Sequence, residues 1–104
     1  MNWISGNQIM LIDTHCHLDK LDLSPYENGL QGVIDAAYHK GVRQLLSICV
    51  NFEGMDTILG YTQRNGVYAS CGIHPLESDA LIGDDSLLCQ YAAHPKVIAI
   101  GETG

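Results

Sequence analysis

Four short apolar runs recur along the chain, at residues 8–13, 44–50, 67–71 and 97–100. Within each run the apolar positions mostly follow one another directly instead of alternating with polar positions. Such runs are typical of strands in a parallel sheet whose two faces are both covered. The pattern therefore predicts four buried strands with these bounds.

Three segments between the runs carry apolar side chains at helical spacing, at residues 30–38, 55–62 and 84–94. Ser24, followed by Pro25, offers an N-terminal cap for the first segment, although the glycines that follow leave a later start open. The resulting alternation of strand and helix predicts an α/β fold with right-handed crossovers.

Composition and charge narrow the class of protein. Apolar residues make up 46 % of the 104 residues and charged residues 16 %, which suits a single folded domain. Twelve acidic residues against five Lys and Arg give a net charge of −7. Proteins that bind nucleic acid through Lys and Arg side chains usually have a basic face. The acidic balance of this chain therefore disfavours binding of that kind. A nuclease that holds phosphate through metal ions stays compatible with the charge.

The spacing of the cysteines indicates the cellular compartment in which the protein folds. None of the four forms a Cys-x-x-Cys pair, and each lies in or beside an apolar segment. This usage predicts reduced, mostly buried thiols in a cytoplasmic protein. No apolar run has the length of a membrane span, so no membrane partner is expected.

The N-terminal residues carry no motif. The first nine lack the basic region and the long apolar stretch of a signal peptide. We therefore expect residues 1–8 to be an extension that precedes one domain of residues 9–104. Met10 is a second possible start, from which translation would preserve the fold.

Residues with metal-ligand chemistry follow the first apolar run. In extended backbone His15 and His17 point the same way, and two neutral imidazoles so placed can hold one metal ion. Asp13 shares that face and is placed to orient a ligand. By itself His-x-His also describes two ordinary turn histidines. Its position at the carboxyl end of a parallel strand, where ligands bind in such folds, favours a metal site.

Two more apolar runs end in polar side chains that would reach the same edge. His74 follows the third run and Glu102 the fourth. Each has an ordinary alternative: His74 as a hydrogen-bonded turn histidine before Pro75, and Glu102 as a solvated turn acid. Convergence from three separate strand ends favours a shared site. His39, near a helix end, and His94, in a loop, are assigned no role.

Three segments resemble a known family. The sequence Leu-Ile-Asp-Thr-His-Cys-His-Leu-Asp at 11–19 resembles the opening signature of the TatD family of metal-dependent deoxyribonucleases. Gly-Ile-His-Pro at 72–75 resembles the second motif, and Ile-Gly-Glu-Thr-Gly at 100–104 resembles the start of the third. The order and spacing of the motifs agree with the family, and the resemblance covers residues 9–104.

The resemblance implies a TIM-type (β/α)8 barrel with one or two divalent metals at its C-terminal face. It also implies hydrolysis of phosphodiester (ester) bonds in DNA, typically as a 3′-to-5′ exonuclease. By motif, His15 and His17 would bind one metal, and Glu102 would bind metal as the catalytic, bridging carboxylate. His74 would line the substrate pocket. Nitrogen and oxygen ligands admit Mg²⁺, Mn²⁺ or Zn²⁺.

The length of the chain departs from the family. A barrel of this type takes about 250 residues, whereas 104 residues supply about the first four βα units, a half barrel. Two histidines and an aspartate from later strands of the family have no counterpart in the sequence. We expect this fragment to be inactive alone, to associate through its open half-barrel edges, and to regain activity from strands five to eight.

Two other functions stay open. A metal-dependent amidohydrolase that acts on C–N bonds shares the His-x-His opening, and substrate assays would separate it from a nuclease. A non-catalytic half-barrel remnant that pairs with another chain would fit the absence of later strands. A metal titration combined with a nuclease assay of the chain would distinguish such a remnant from an enzyme.

Overall fold

Four parallel strands in one sheet form the centre of the structure. The computed structural model describes residues 10–74, 76 and 85–102. Its strands are β1 (Leu11–Cys16), β2 (Val42–Ser47), β3 (Val67–Cys71) and β4 (Val97–Ile100). The sheet order is β1-β2-β3-β4, with every neighbouring pair parallel. All four carboxyl ends therefore lie along one edge of the sheet.

Helices fill the connections between strands. They are α1 (Gly29–His39), α2 (Met55–Tyr61) and α3 (Asp85–Ala92), and short 3-10 turns at Leu18–Lys20 and Phe52–Gly54 precede α1 and α2. A helix thus follows each of the first three strands, which confirms the predicted α/β class. Four strands in this order are half of the strand complement of a (β/α)8 barrel.

The apolar core lies between the helices and one face of the sheet. One cluster joins α2 to β3 and comprises Cys49, Met55, Ile58, Ala69 and Cys71. A second cluster joins α1 to β2 and β3 and comprises Leu18, Leu30, Leu45 and Val67. Burial of apolar surface, at about 25 cal/mol per Å², stabilises this arrangement. The helices thereby hold the carboxyl edge of the sheet in a fixed geometry.

The prediction that all four strands are buried is wrong for the two outer strands. Leu11 and Ile12 of β1 are 49 % and 60 % exposed, and Ile98 and Ile100 of β4 are 59 % and 54 % exposed. In the described sheet each of these strands has a hydrogen-bonded neighbour on one side only. Their sequence is apolar enough for burial, but no described element covers those side chains.

Several predicted bounds also differ from the structure. β1 runs on to Cys16 instead of ending at residue 13, so His15 lies inside the strand. β2 ends at Ser47, and residues 48–50, of which Ile48 and Cys49 are buried, form an irregular segment beyond it. Ser24 does not cap α1, because the helix begins at Gly29 and Asn28 occupies the N-cap position. The later start of α1 is the correct one.

Some expectations fall outside the described residues. These are the N-terminal extension at 1–8, the start of the first strand at 8–9, Pro75, Asp84, Thr103 and Gly104. All four cysteines are described and carry free thiols, of which Cys49 and Cys71 are buried and Cys89 is exposed. None of the described helices is long and apolar enough to cross a membrane.

Candidate metal centre

The carboxyl edge of the sheet brings together four side chains that lie far apart in sequence. His15 is near the end of β1 and His17 follows it, whereas His74 follows β3 and Glu102 follows β4. The Glu102 carboxylate lies at the centre of the group. Its Oε1 is 4.0 Å from His15 Nε2 and 3.9 Å from His74 Nε2, and its Oε2 is 3.8 Å from His17 Nε2.

These separations suit ligands of a shared ion. Direct hydrogen bonds between nitrogen and oxygen are about 2.7–3.2 Å long, so the contacts to Glu102 are too long for them. Two atoms that each lie about 2.1 Å from one ion are at most roughly 4.2 Å apart. One ligand atom each from His15, His17 and Glu102 lie within 4.8 Å of one another, the one such group among the described residues. The donor set, and the contacts of 4.0 and 3.8 Å that join His15 and His17 to Glu102, therefore fit a divalent metal.

The His17 ring is oriented by the backbone just beyond β2. Its Nδ1 lies 3.2 Å from the carbonyl oxygen of Ile48, which only accepts hydrogen bonds. Nδ1 therefore carries the proton in the neutral ring. Nε2 keeps its lone pair and faces Glu102, as a metal ligand requires.

The His74 ring has the opposite tautomer. Its Nδ1 accepts the backbone N–H of Leu76 at 3.0 Å, so Nε2 carries the proton in the neutral ring. His94, which also precedes a proline in the sequence, accepts the N–H of Lys96 in the same way at 3.1 Å. A histidine ring that accepts a backbone N–H two residues ahead is what the ordinary alternative for His74, a hydrogen-bonded turn histidine, predicts. Only the location of His74, beside Glu102, sets it apart from His94, and its Nε2 points an N–H group towards the site.

Asp13 acts on the backbone of the His-x-His segment. Its Oδ1 accepts the backbone N–H of His15 at 3.0 Å. The side chain is thus placed to fix the part of β1 that carries the first imidazole. The part of Asp13 in orienting a metal ligand stays a prediction.

Residues 48–50, just beyond β2, act as a common support for the site. The Ile48 carbonyl faces the His17 ring, the Cys49 carbonyl accepts the Glu102 N–H at 3.3 Å, and the Val50 carbonyl accepts the His74 N–H at 2.7 Å. Three consecutive carbonyl oxygens therefore hold three different site residues. Sequence reasoning missed this segment because it assigned it to the interior of a strand.

Cys16 and Cys49, next to the site, have thiols whose surroundings favour the protonated form. Burial and the negative charge of Asp13 raise the pKa of the Cys16 thiol to about 11. Burial also raises the pKa of Cys49, whose Sγ donates to the Asn51 carbonyl oxygen at 2.8 Å. Both thiols are protonated at neutral pH, and neither belongs to the group of ligand atoms.

The centre is open to solvent on one side. The side chain of His15 is 57 % exposed, whereas those of His17, His74 and Glu102 are about 30 % exposed. These four side chains are therefore accessible to solvent in the described part of the chain. His39 is the exposed last residue of α1 and, like His94, has no contact with the centre among the described contacts.

Fold and site together define an α/β protein with a parallel sheet, consistent with part of a (β/α)8 barrel, and a candidate metal centre at the carboxyl ends of its strands. A family model described as TatD related DNase matches residues 12–104. The chain belongs to this family.

Relatives show how much of a family member the chain covers. An uncharacterized metal-dependent hydrolase of Buchnera aphidicola subsp. Baizongia pistaciae is 36 % identical over 97 residues, which are 92 % of this chain and 37 % of that protein. The uncharacterized metal-dependent hydrolase YcfH of Escherichia coli is 35 % identical over 100 residues, 92 % of this chain and 36 % of YcfH. YabD of Bacillus subtilis, described in the same words, is 32 % identical over 102 residues. The chain thus spans little more than a third of the length of these relatives.

Proposed function

We propose that the chain supplies the first part of the metal centre of a hydrolase that cleaves phosphodiester bonds in DNA. The observation that supports this proposal is the convergence of His15, His17 and Glu102 at ligand spacing. When bound, divalent ions polarise the scissile phosphate and activate water as a nucleophile. Nitrogen and oxygen donors of this kind admit Mg²⁺, Mn²⁺ or Zn²⁺.

Each side chain of the centre has a distinct task in the proposed reaction. His15 and His17 would bind one ion, the latter through Nε2, whose lone pair the Ile48 carbonyl keeps free. Glu102 turns one oxygen towards each of these imidazoles, so its carboxylate would join them on that ion. Its proposed bridging to a second ion rests on the family resemblance. Its negative charge also offsets part of the charge of the ions.

His74 takes the role of a donor to substrate. Its Nε2–H group points into the site, 3.9 Å from Glu102 Oε1, whereas its Nδ1 is occupied by the Leu76 N–H. An N–H in this place donates a hydrogen bond to a phosphate oxygen and stabilises the charge that develops there. The same tautomer makes Nε2 a poor metal ligand.

The net negative charge of the chain is compatible with a DNA substrate if bound metal ions attract the phosphate groups. A net charge of −7 repels a polyanion over long distances. Divalent ions at the centre reverse the local charge where the phosphate binds. Family membership supports 3′-to-5′ exonuclease action as the finer proposal.

A second candidate keeps the same centre and changes the substrate. The relatives are described only as metal-dependent hydrolases, and a His-x-His centre also suits an amidohydrolase that acts on C–N bonds. A third candidate, a non-catalytic remnant that pairs with another chain, draws support from the exposed apolar residues of β1 and β4.

One experiment tests these candidates together. Metal affinity is measured by calorimetry with Mn²⁺ and Zn²⁺ for the chain alone and for the chain mixed with the remaining two-thirds of a relative. Hydrolysis of end-labelled DNA and of cyclic amides is then followed in both samples. We expect DNA cleavage from the 3′ end in the mixture and little in the chain alone. Metal binding with amide cleavage would favour the second candidate, and a mixture without metal affinity would refute the metal centre.

A further inference from the structure

Ser70 makes two hydrogen bonds that connect the segments carrying the site. It lies in β3 with 1 % of its surface exposed. Its hydroxyl accepts the backbone N–H of Cys49 at 3.2 Å, from the segment beyond β2. The same hydroxyl donates to the carbonyl oxygen of Gly101 at 2.8 Å, beyond β4. One buried oxygen therefore ties together segments 21 and 31 residues away in sequence.

Both partners of Ser70 determine where Glu102 lies. Gly101 precedes Glu102 directly, so its carbonyl belongs to the peptide group that carries the carboxylate residue. The Glu102 N–H donates to the carbonyl oxygen of Cys49, the residue whose N–H Ser70 accepts. The Gly101 N–H donates to Cys71 O at 2.8 Å. The backbone around Glu102 is thus held on both sides, with the Ser70 hydroxyl between the two supports.

We propose that Ser70 is a positioning residue for Glu102. Its hydroxyl fixes the Gly101–Glu102 peptide against residues 48–50, which also hold His17 and His74. The carboxylate is thereby aimed between the imidazoles before an ion binds. This inference rests on the proposed role of Glu102 as a metal ligand and is independent of the substrate.

A second buried serine offers a matched comparison. Ser47, in β2, is 0 % exposed, and its register partner is Ala69, the neighbour of Ser70. Within the described part of the chain its hydroxyl has no hydrogen-bond partner. Ser47 and Ser70 therefore share residue type, burial and sheet, and differ in whether the hydroxyl connects to the backbone of Glu102.

The first test uses the metal-free protein, so that it does not depend on metal binding. Order parameters of the Gly101 and Glu102 amides, and hydrogen exchange of the Cys49 amide, are measured by NMR for wild type, Ser70→Ala and Ser47→Ala. In Ser70→Ala we expect order parameters to fall from about 0.85 towards 0.6, and Cys49 exchange to accelerate. Ser47→Ala is expected to match wild type in both respects.

The second test adds a metal titration of the same proteins. Loss of a group that orients a metal ligand lowers affinity about 10- to 100-fold. We expect this loss for Ser70→Ala and none for Ser47→Ala. Two further variants, Ser70→Thr and Ser70→Val, have side chains of nearly equal shape and differ in the hydroxyl. The Thr variant is expected to keep more of the affinity and order than the Val variant.

The results separate the two proposals. Unchanged order and exchange in Ser70→Ala would overturn the positioning role, whatever the metal titration shows. Equal effects of Ser70→Ala and Ser47→Ala, or equal behaviour of the Thr and Val variants, would also overturn it. A wild-type protein that binds no ion in the presence of the remaining strands would refute the metal centre, while the metal-free measurements would still decide the role of Ser70.

Discussion

A β-carbon on Gly72 would lie 2.8 Å from the carbonyl carbon of Gly101, closer than real β-carbons approach other heavy atoms. The chain leaving β3 therefore passes directly against the peptide that precedes Glu102. This approach has no room for a side chain at position 72. Because both neighbours are backbone, neither can move aside as a flexible side chain would.

Gly72→Ala is therefore expected to push the Gly101–Glu102 segment away from β3. Forced packing of this kind costs about 1–3 kcal/mol of stability. Displacement of Glu102 should also lower metal affinity by about tenfold or more. Thermal unfolding and calorimetric titration of Mn²⁺ would measure the two effects.

Gly60→Ala is the control for that substitution. A β-carbon on Gly60 would meet nothing within 4 Å, and the residue lies in α2, where alanine is favoured by about 1 kcal/mol. We expect a more stable protein with unchanged metal affinity. Equal metal affinity for Gly72→Ala and wild type would show that the close approach does not position Glu102.

Ser47→Ala should stabilise the protein or leave it unchanged. Its buried hydroxyl has no partner among the described residues, and an unsatisfied buried polar group costs about 1–3 kcal/mol. Alanine removes that cost and leaves the backbone pairing of β2 intact. Urea unfolding is the measurement, with Ser70→Ala as the comparison, which should lose about 1–3 kcal/mol. Similar losses of stability in both variants would contradict the conclusion that the Ser70 hydroxyl is hydrogen-bonded and the Ser47 hydroxyl is not.

Glu102→Gln should remove most of the metal affinity. An amide has one neutral oxygen in place of the two charged oxygens that face His15 and His17. We expect a loss of at least about 100-fold, larger than that for changes in residues that only orient ligands. His39→Ala and His94→Ala should keep wild-type affinity. If all three variants lose affinity alike, Glu102 is not a ligand.

Thiol reagents should separate the four cysteines at neutral pH. Burial raises the pKa of Cys16, Cys49 and Cys71, so these groups stay protonated and react slowly. Cys89 is exposed on α3. Mass spectrometry after brief treatment with iodoacetamide at pH 7 should find label on Cys89. Rapid labelling of Cys49 or Cys71 in the folded protein would contradict the burial of the core.

Much of the fold and of the candidate site follows from local sequence pattern. The bounds of β3 and β4 match the apolar runs at 67–71 and 97–100, because a short apolar run with β-branched or aromatic residues favours a strand wherever it lies in the sheet. The gathering of His15, His17 and Glu102 follows from parallel strands, whose carboxyl ends share an edge. Periodicity is a property of each segment by itself, and the alternation of strands with helices predicts parallel pairing, so the sequence alone determined both.

Contacts between segments were decided by the tertiary structure. Ser70 and Gly72 carry no motif that distinguishes them from other small residues. Their importance arises from register, which brings a hydroxyl to Gly101 and leaves no space beside Gly72. The opposite tautomers of His17 and His74 likewise depend on which backbone group meets each ring. Hydrogen bonds and steric limits act over a few ångströms, and only the assembled sheet determines which distant residues come that close.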